Sequence, residues 1–278
     1  MAPVPRSLVW ATDIDVLPTD HEVLRRDRYL VVHSPSNPAH WWGNFLLFDE
    51  PPDGGDGERW EAAFAAEFGA RPGVRHRVFA WDVVDGAEGA ADSEFVVRGY
   101  ARERSVGLIA TPDQIRAHPR ADRDVTVRAL RPDGDAALWG AIVDLQAAER
   151  PALVGETEHL EFLRRRQAEL RAMFRTGAGA WYAALGTRGE VVGSCGIVVT
   201  AGRARYQHVS TAAEHRRRGI CSRLLVDAAA HAIEHFTAES FVIAADPEYH
   251  ALGLYESLGF TASERVCGVL LPPPGDSA

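Results

Sequence analysis

Three β-rich stretches, AWYAALG, EVVGSCGIVVT and ARYQHVST, follow one another within residues 180–211, joined by TRGE and AGR. Connections this short are hairpin-like, so the three strands must lie side by side in one sheet. No other part of the chain restricts its fold as tightly. Immediately afterwards the pattern changes period. TAAEHRRRGICSRLLVDAAAHAIEHF (residues 211–236) opens with three arginines and a glycine and continues with apolar residues at helical spacing. Ile220, Leu224, Leu225, Ala228, Ala232, Ile233 and Phe236 are the expected buried face.

The elements around this segment extend the order. VTVRALRP reads as a strand, DGDAALWGAIVDLQAAE and EHLEFLRRRQAELRAMFRTG as helices, SFVIAAD as a strand, PEYHALGLYESLGF as a short helix and RVCGVLLP as a final strand. In the second helix Leu160, Leu163, Leu170, Met173 and Phe174 form one stripe, and Gly177 is a fitting C-cap. The polar, proline-bearing stretch ATPDQIRAHPRADRD (residues 110–124) marks the expected domain boundary. Two domains are therefore expected, residues 1–120 and 125–278. Before the boundary, RYLVVHS, NFLLFDE, RHRVFAWDV and SVGLIA read as strands and ERWEAAFAAEF as a helix, giving a mixed α/β chain throughout.

The arginine segment poses a chemical question, because the chain of 278 residues carries a net charge of −9. Cations at a helix start oppose the helix dipole, so they need a reason to be there. The first turn of a helix exposes unpaired backbone N–H groups, and a phosphate is their natural ligand. Gly219 would let such a ligand approach the backbone, and the forks of Arg216, Arg217 and Arg218 match phosphate oxygens. The acidic overall balance argues against nucleic acid as a partner and fits a cationic small acceptor. All 30 basic residues are arginine. The three cysteines, Cys195, Cys221 and Cys267, form no metal-binding or disulfide spacing, and no segment has the length and apolarity of a secretory signal or membrane span. A cytoplasmic protein without a metal, monomeric or homodimeric, is the expectation.

RRRGIC, preceded by VSTAAEH, resembles the acetyl-CoA loop of the GNAT acetyltransferase superfamily: Gln or Arg, two residues, Gly, one residue, then Gly or Ala. Arg216 and Gly219 match, and Cys221 stands where Gly or Ala is usual. ALGLYESLGF resembles that family's closing helix at Leu254, Tyr255, Gly259 and Phe260, with Glu248 where an asparagine is common. The resemblance covers about the last 150 residues and implies a central mixed sheet flanked by helices, with direct transfer of an acetyl group from acetyl-CoA to an amine, small-molecule or peptide. It implies that backbone groups around Val209 and Thr211 hold the pantetheine arm, and that an N–H near Val209 polarises the thioester carbonyl. Residues 217–222 (Arg217, Arg218, Gly219, Ile220, Cys221 and Ser222), with Arg216, would hold the pyrophosphate, and Tyr255 would protonate the departing thiolate. The alternative is a non-catalytic acyl-CoA-binding or regulatory protein.

Several residues stay open at this point. His208, Glu214, Glu239 and Glu248 are candidates for the general base. Cys221 is read as a glycine substitute in preference to a nucleophile, and His231 and His235 as exposed helix histidines in preference to metal ligands. Residues 1–120 read as a smaller, degenerate copy of the same fold. Where a phosphate loop should precede its helix, FDEPPDGGDGERW carries Asp49, Glu50, Asp53, Asp56 and Glu58, which would repel a pyrophosphate. Trp41 and Trp42 are expected to pack in a core or an interface, with a wall of the acceptor pocket as the alternative.

Overall fold

The computed structural model describes residues 4–71, 73–150, 154–248 and 251–273. Along the chain the elements are α1 (Leu8–Asp15), β1 (Glu22–Arg25), β2 (Tyr29–His33), β3 (Phe45–Phe48), α2 (Asp56–Phe68), β4 (Arg77–Trp81), α3 (Ala91–Glu94) and β5 (Ala101–Ala110). They continue with β6 (Thr126–Ala129), α4 (Ala136–Ala147), α5 (Glu156–Arg175), β7 (Gly179–Leu185), β8 (Val191–Thr200) and β9 (Arg203–Thr211). The last four are α6 (Ile220–Phe236), β10 (Ser240–Ala245), α7 (Ala251–Ser257) and β11 (Thr261–Leu271). The mixed α/β class expected from the sequence is the observed one. Three elements, α1, β1 and α3, have no counterpart in the sequence reading; α1 has no amphipathic stripe and is instead fixed by its cap, where the Ser7 hydroxyl accepts from the N–H of Trp10.

The chain divides into two compact units whose boundaries cross the expected ones. The first comprises residues 4–106, 154–158 and 264–273, and the second residues 107–150, 159–248 and 251–263. The linker at 110–124 thus belongs with the second unit, and most of the final strand, expected with the second, belongs with the first.

In the first unit β1, β2 and β3 run antiparallel, β3 and β4 are parallel, and β11 lies antiparallel to β4. The helix α2 bridges the parallel pair. Its Trp60, Phe64 and Phe68 enter an aromatic core with Phe48, Phe79, Trp81, Phe95 and Tyr100, and Phe48 stacks on Trp60 with ring centroids 3.6 Å apart. Both half-buried tryptophans of the WW pair pack inside this unit. Trp42 stacks on Trp10 at 5.3 Å and meets Phe45 edge-on, while Trp41 faces His76.

In the second unit β6, β7, β8 and β9 form the antiparallel series that the short connections require, and β10 lies parallel to β9 with α6 between them. The buried face of α6 is Ile220, Ser222, Leu224, Leu225, Ala228, Ala229 and Ala232. Ile233 is exposed and Phe236 half-buried, so the apolar face ends one turn earlier than its periodicity suggests. The hydroxyl of the buried Tyr206 donates to the Leu225 carbonyl at 2.7 Å and ties β9 to this helix.

Both units therefore repeat one motif: antiparallel strands, a strand, a glycine-capped helix and a parallel strand. The caps are conformationally the same. Gly55 before α2 has φ 89° and ψ 0°, and Gly219 before α6 has φ 84° and ψ 7°, the left-handed region that favours glycine.

Candidate active site

Two departures from regular structure in the second unit open its sheet beside the arginine loop. Across β8 and β9, Ser194 faces Ser210 and Gly196 faces Gln207, so β9 carries one extra residue there and bulges at His208 and Val209. His208 takes φ 44°, a left-handed value unusual for a side chain of its size. On the other edge, β9 and β10 pair only from Arg203–Ser240 to Arg205–Val242, although both strands run on. Beyond Arg205 the pairing ends, which leaves backbone groups of β9 on that edge without a paired strand among the described residues.

The loop between β9 and α6 stands at this opening. Arg217 has φ 65° and Gly219 φ 84°, a turn that brings successive N–H groups to one side. No side chain caps α6, and no backbone acceptor meets the N–H groups of residues 217–222 among the described residues. Arg216, Arg217 and Arg218 are all exposed. This concentration of donors and positive charge is what an anion requires. Ile220 and Ser222 turn their side chains into the core, at 2 % exposure each, so only their backbone faces the loop.

Two details differ from expectation. A Cβ on Gly219 would lie 1.9 Å from the Arg120 carbonyl oxygen, and the Asp122 N–H donates to the Gly219 carbonyl at 3.2 Å. The space expected for a ligand is thus filled by the linker backbone. Arg216, expected to face phosphate, donates through Nε to the Thr211 carbonyl at 3.1 Å and through Nη2 to Oε1 of Glu149 at 3.0 Å. Arg218 donates to Nδ1 of His215 at 3.2 Å.

The LYESLGF motif is held by the same linker. A Cβ on Gly259 (φ 103°) would sit 1.9 Å from the Gln114 carbonyl oxygen, and the Arg116 N–H donates to the Leu258 carbonyl at 3.0 Å. Tyr255 is buried on α7, with its ring tilted against Phe260 at 6.5 Å between centroids.

The candidate bases separate by position. Glu239 lies at the far end of β9, its N–H bonded to the Gly202 carbonyl. Glu214 is exposed in the short turn Ala213–His215, and Glu248 is exposed after β10. His208 alone sits on the bulge. Its side chain is 41 % exposed, yet the protein packed around the ring holds the imidazole below its ordinary value of 6.5, with Glu149 pulling the other way. That direction favours the neutral ring, the form able to accept a proton.

Glu149, just beyond α4, carries no sequence motif. Its carboxylate accepts from Arg216 and from the Ser210 hydroxyl at 2.7 Å, and lies 3.9 Å from Nε2 of His208. The Cys221 thiol is pushed up to about 12 by burial, the opposite of the activation a helix N-terminus could give, and this accords with a small packing residue in place of glycine. His231 faces His235 at 4.1 Å and its Nδ1 lies 3.2 Å from the Tyr182 hydroxyl; no cluster of three metal-ligating side chains occurs among the described residues. Nor is any helix among them long and apolar enough to cross a membrane. In the first unit the matching loop borders a cleft of ≈ 210 Å³ lined by Asp27, Glu50, Asp53 and Asp56 as well as Arg28 and Arg59, a setting hostile to a pyrophosphate.

Residues 176–262 match the acetyltransferase (GNAT) domain model. No curated protein matches the chain. Among solved structures, a conserved protein of unknown function from Staphylococcus epidermidis has a TM-score of 0.71 at 12 % identity, with 92 % of this chain and 95 % of that one covered. A GCN5-related N-acetyltransferase from Kribbella flavida has a TM-score of 0.62 at 14 % identity, with 96 % and 94 % covered. A tandem GNAT protein from the clavulanic acid biosynthesis pathway has 0.56 at 14 %, with 98 % and 91 % covered. At these identities the likeness is one of fold, and it extends over both halves of the chain.

Proposed function

We propose that this chain, whose residues 176–262 carry a GNAT domain, moves an acetyl group from acetyl-CoA to a cationic amine by direct attack in a ternary complex. The observation that carries the reading is the parting of β9 and β10 beside an uncapped, arginine-flanked helix start. An extended arm can lie along β9 there while its phosphates meet the N–H groups of residues 217–222.

Acetyl-CoA supplies a thioester, and each demand of the reaction has a residue to meet it. Arg217, Arg218 and the loop amides hold the pyrophosphate. The backbone at Val209 and Thr211 receives the arm, and the Val209 N–H stabilises negative charge growing on the carbonyl oxygen. His208 accepts the proton of the acceptor's ammonium group, directly or through one water. As the C–N bond forms and the C–S bond breaks, the Tyr255 hydroxyl donates its proton to the leaving thiolate, and the proton that the acylated nitrogen gives up to solvent restores the phenol. The chain's charge of −9 favours the approach of a cationic acceptor.

Release of the CoA thiol, followed over a panel of amines, tests this reading. Tyr255→Phe preserves the packing of a buried ring and should lower kcat by about 10²-fold or more while leaving acetyl-CoA affinity unchanged. Full kcat in that variant would remove Tyr255 from the chemistry. Absence of thiol release with every amine, despite acetyl-CoA binding, would favour a non-catalytic acyl-CoA-binding protein.

A further inference from the structure

Glu149 has no part in the reaction just described, yet the arginine loop and the bulge meet at its carboxylate. Oε1 accepts from Nη2 of Arg216 at 3.0 Å; Oε2 accepts from the Ser210 hydroxyl at 2.7 Å and lies 3.9 Å from Nε2 of His208. The same guanidinium donates through Nε to the Thr211 carbonyl, in the stretch of β9 assigned to the donor's arm. Glu149 also follows the C-terminal end of α4, where the helix carbonyls disfavour a negative charge. A carboxylate there is best offset by a cation, and two candidates flank it, Arg216 permanently charged and His208 on protonation.

We propose that Glu149 is a positioning residue that couples occupation of the phosphate loop to the basicity of His208. The inference rests on the assignment of the loop at residues 217–222 to the donor's phosphates, with Arg216 beside it. Two phosphates at the loop compete with one carboxylate for Arg216, and guanidinium–phosphate pairing is bidentate and strong. Once Arg216 turns toward them, the Glu149 charge faces His208 without its former partner. An opposite charge at about 4 Å favours the protonated ring. The other groups that act on His208 are His159 and Arg166, both on α5 and both opposed to its protonation. Arg166 already pairs with Glu169 at 3.4 Å and touches Gln207, so its influence does not depend on the loop. The base therefore strengthens once the donor is bound.

The experiment is an NMR titration of the histidine ring protons in the full chain, with His208 assigned from the spectrum of His208→Gln and free CoA as the non-reacting probe. In the wild type the His208 midpoint should rise on the order of half a unit when CoA is added. Arg216→Ala, an exposed substitution, should show the raised midpoint without any ligand. Glu149→Gln should lower the midpoint and abolish the response to CoA. A midpoint in Arg216→Ala equal to that of wild type overturns the coupling, as does a wild-type midpoint that stays put while the loop amides 217–222 shift with CoA. Loop amides that never respond to CoA remove the donor assignment itself, and the proposal with it.

Discussion

His76 shows how a single buried group sets the pH range of the first unit. Its ring is 2 % exposed, donates from Nε2 to the Asn44 carbonyl at 3.1 Å, and has its pKa pushed down to about 4 by burial. His33, also lowered by burial, shares Asn44 through Nδ1 and Oδ1 at 2.8 Å. Both rings are held neutral, below the unfolded value near 6.5, so the unfolded chain binds their protons first. Their contribution to stability is complete above pH 6.5 and is lost as pH falls toward 4, by about 3 kcal/mol for His76. Urea denaturation at pH 7.5 and 4.5 should show this, and His76→Gln should flatten the profile; an unchanged slope in that variant would contradict it. At the same scale, kcat/KM should fall on the acid side as His208 protonates, below about pH 6.5. Tyr255, Gly219 and the arginines were legible in the sequence because each stands in a local motif. Glu149 was not, since its contacts depend on β9 and the loop arriving beside it. The one signal was electrostatic, an acidic residue at the C-terminal end of a helical stretch.

At the scale of elements, the two glycine-capped helices offer a controlled comparison. Gly219 and Gly55 share a left-handed conformation, but a Cβ on Gly55 meets open space and one on Gly219 meets the Arg120 carbonyl. Gly55→Ala should therefore cost about 1–2 kcal/mol, from backbone strain alone. Gly219→Ala should cost more than that and also weaken acetyl-CoA binding, because the linker must move and the loop with it. Equal losses in chemical denaturation would show that the linker yields freely. The strands and helices that periodicity identified were the ones with a strong apolar stripe or short hairpins at their ends. The bulge at His208 and the early end of the β9–β10 ladder left no mark on periodicity, because both follow from pairing between strands. Likewise the arginine loop reads from sequence as a candidate anion site, but the packing of Gly219 against Arg120 comes from a linker ninety-odd residues earlier in the sequence.

Across the whole molecule, the units are not the two halves of the chain. Residues 264–273 belong to the first unit and residues 107–124 to the second. Fragments cut at the polar linker, 1–120 and 125–278, would each lack backbone that the complete chain supplies: β11 beside β4 in one, and the linker bonds to Gly219 and Leu258 in the other. Neither fragment should fold cooperatively, by circular dichroism and thermal melting, whereas the intact chain should; a fragment 125–278 that melts cooperatively and binds acetyl-CoA would contradict this. Composition placed the expected boundary at a proline-bearing linker, but it could not reveal that the linker packs on both site motifs. The most direct measurement of all is the melting temperature of the full chain with acetyl-CoA, against free ADP and inorganic phosphate. At about 100 times Kd, binding adds about 2.7 kcal/mol and should raise the midpoint by about 5–10 °C. A rise with acetyl-CoA that phosphate does not reproduce is the predicted result, and no rise at millimolar acetyl-CoA would mean that the arginine loop serves a different anion.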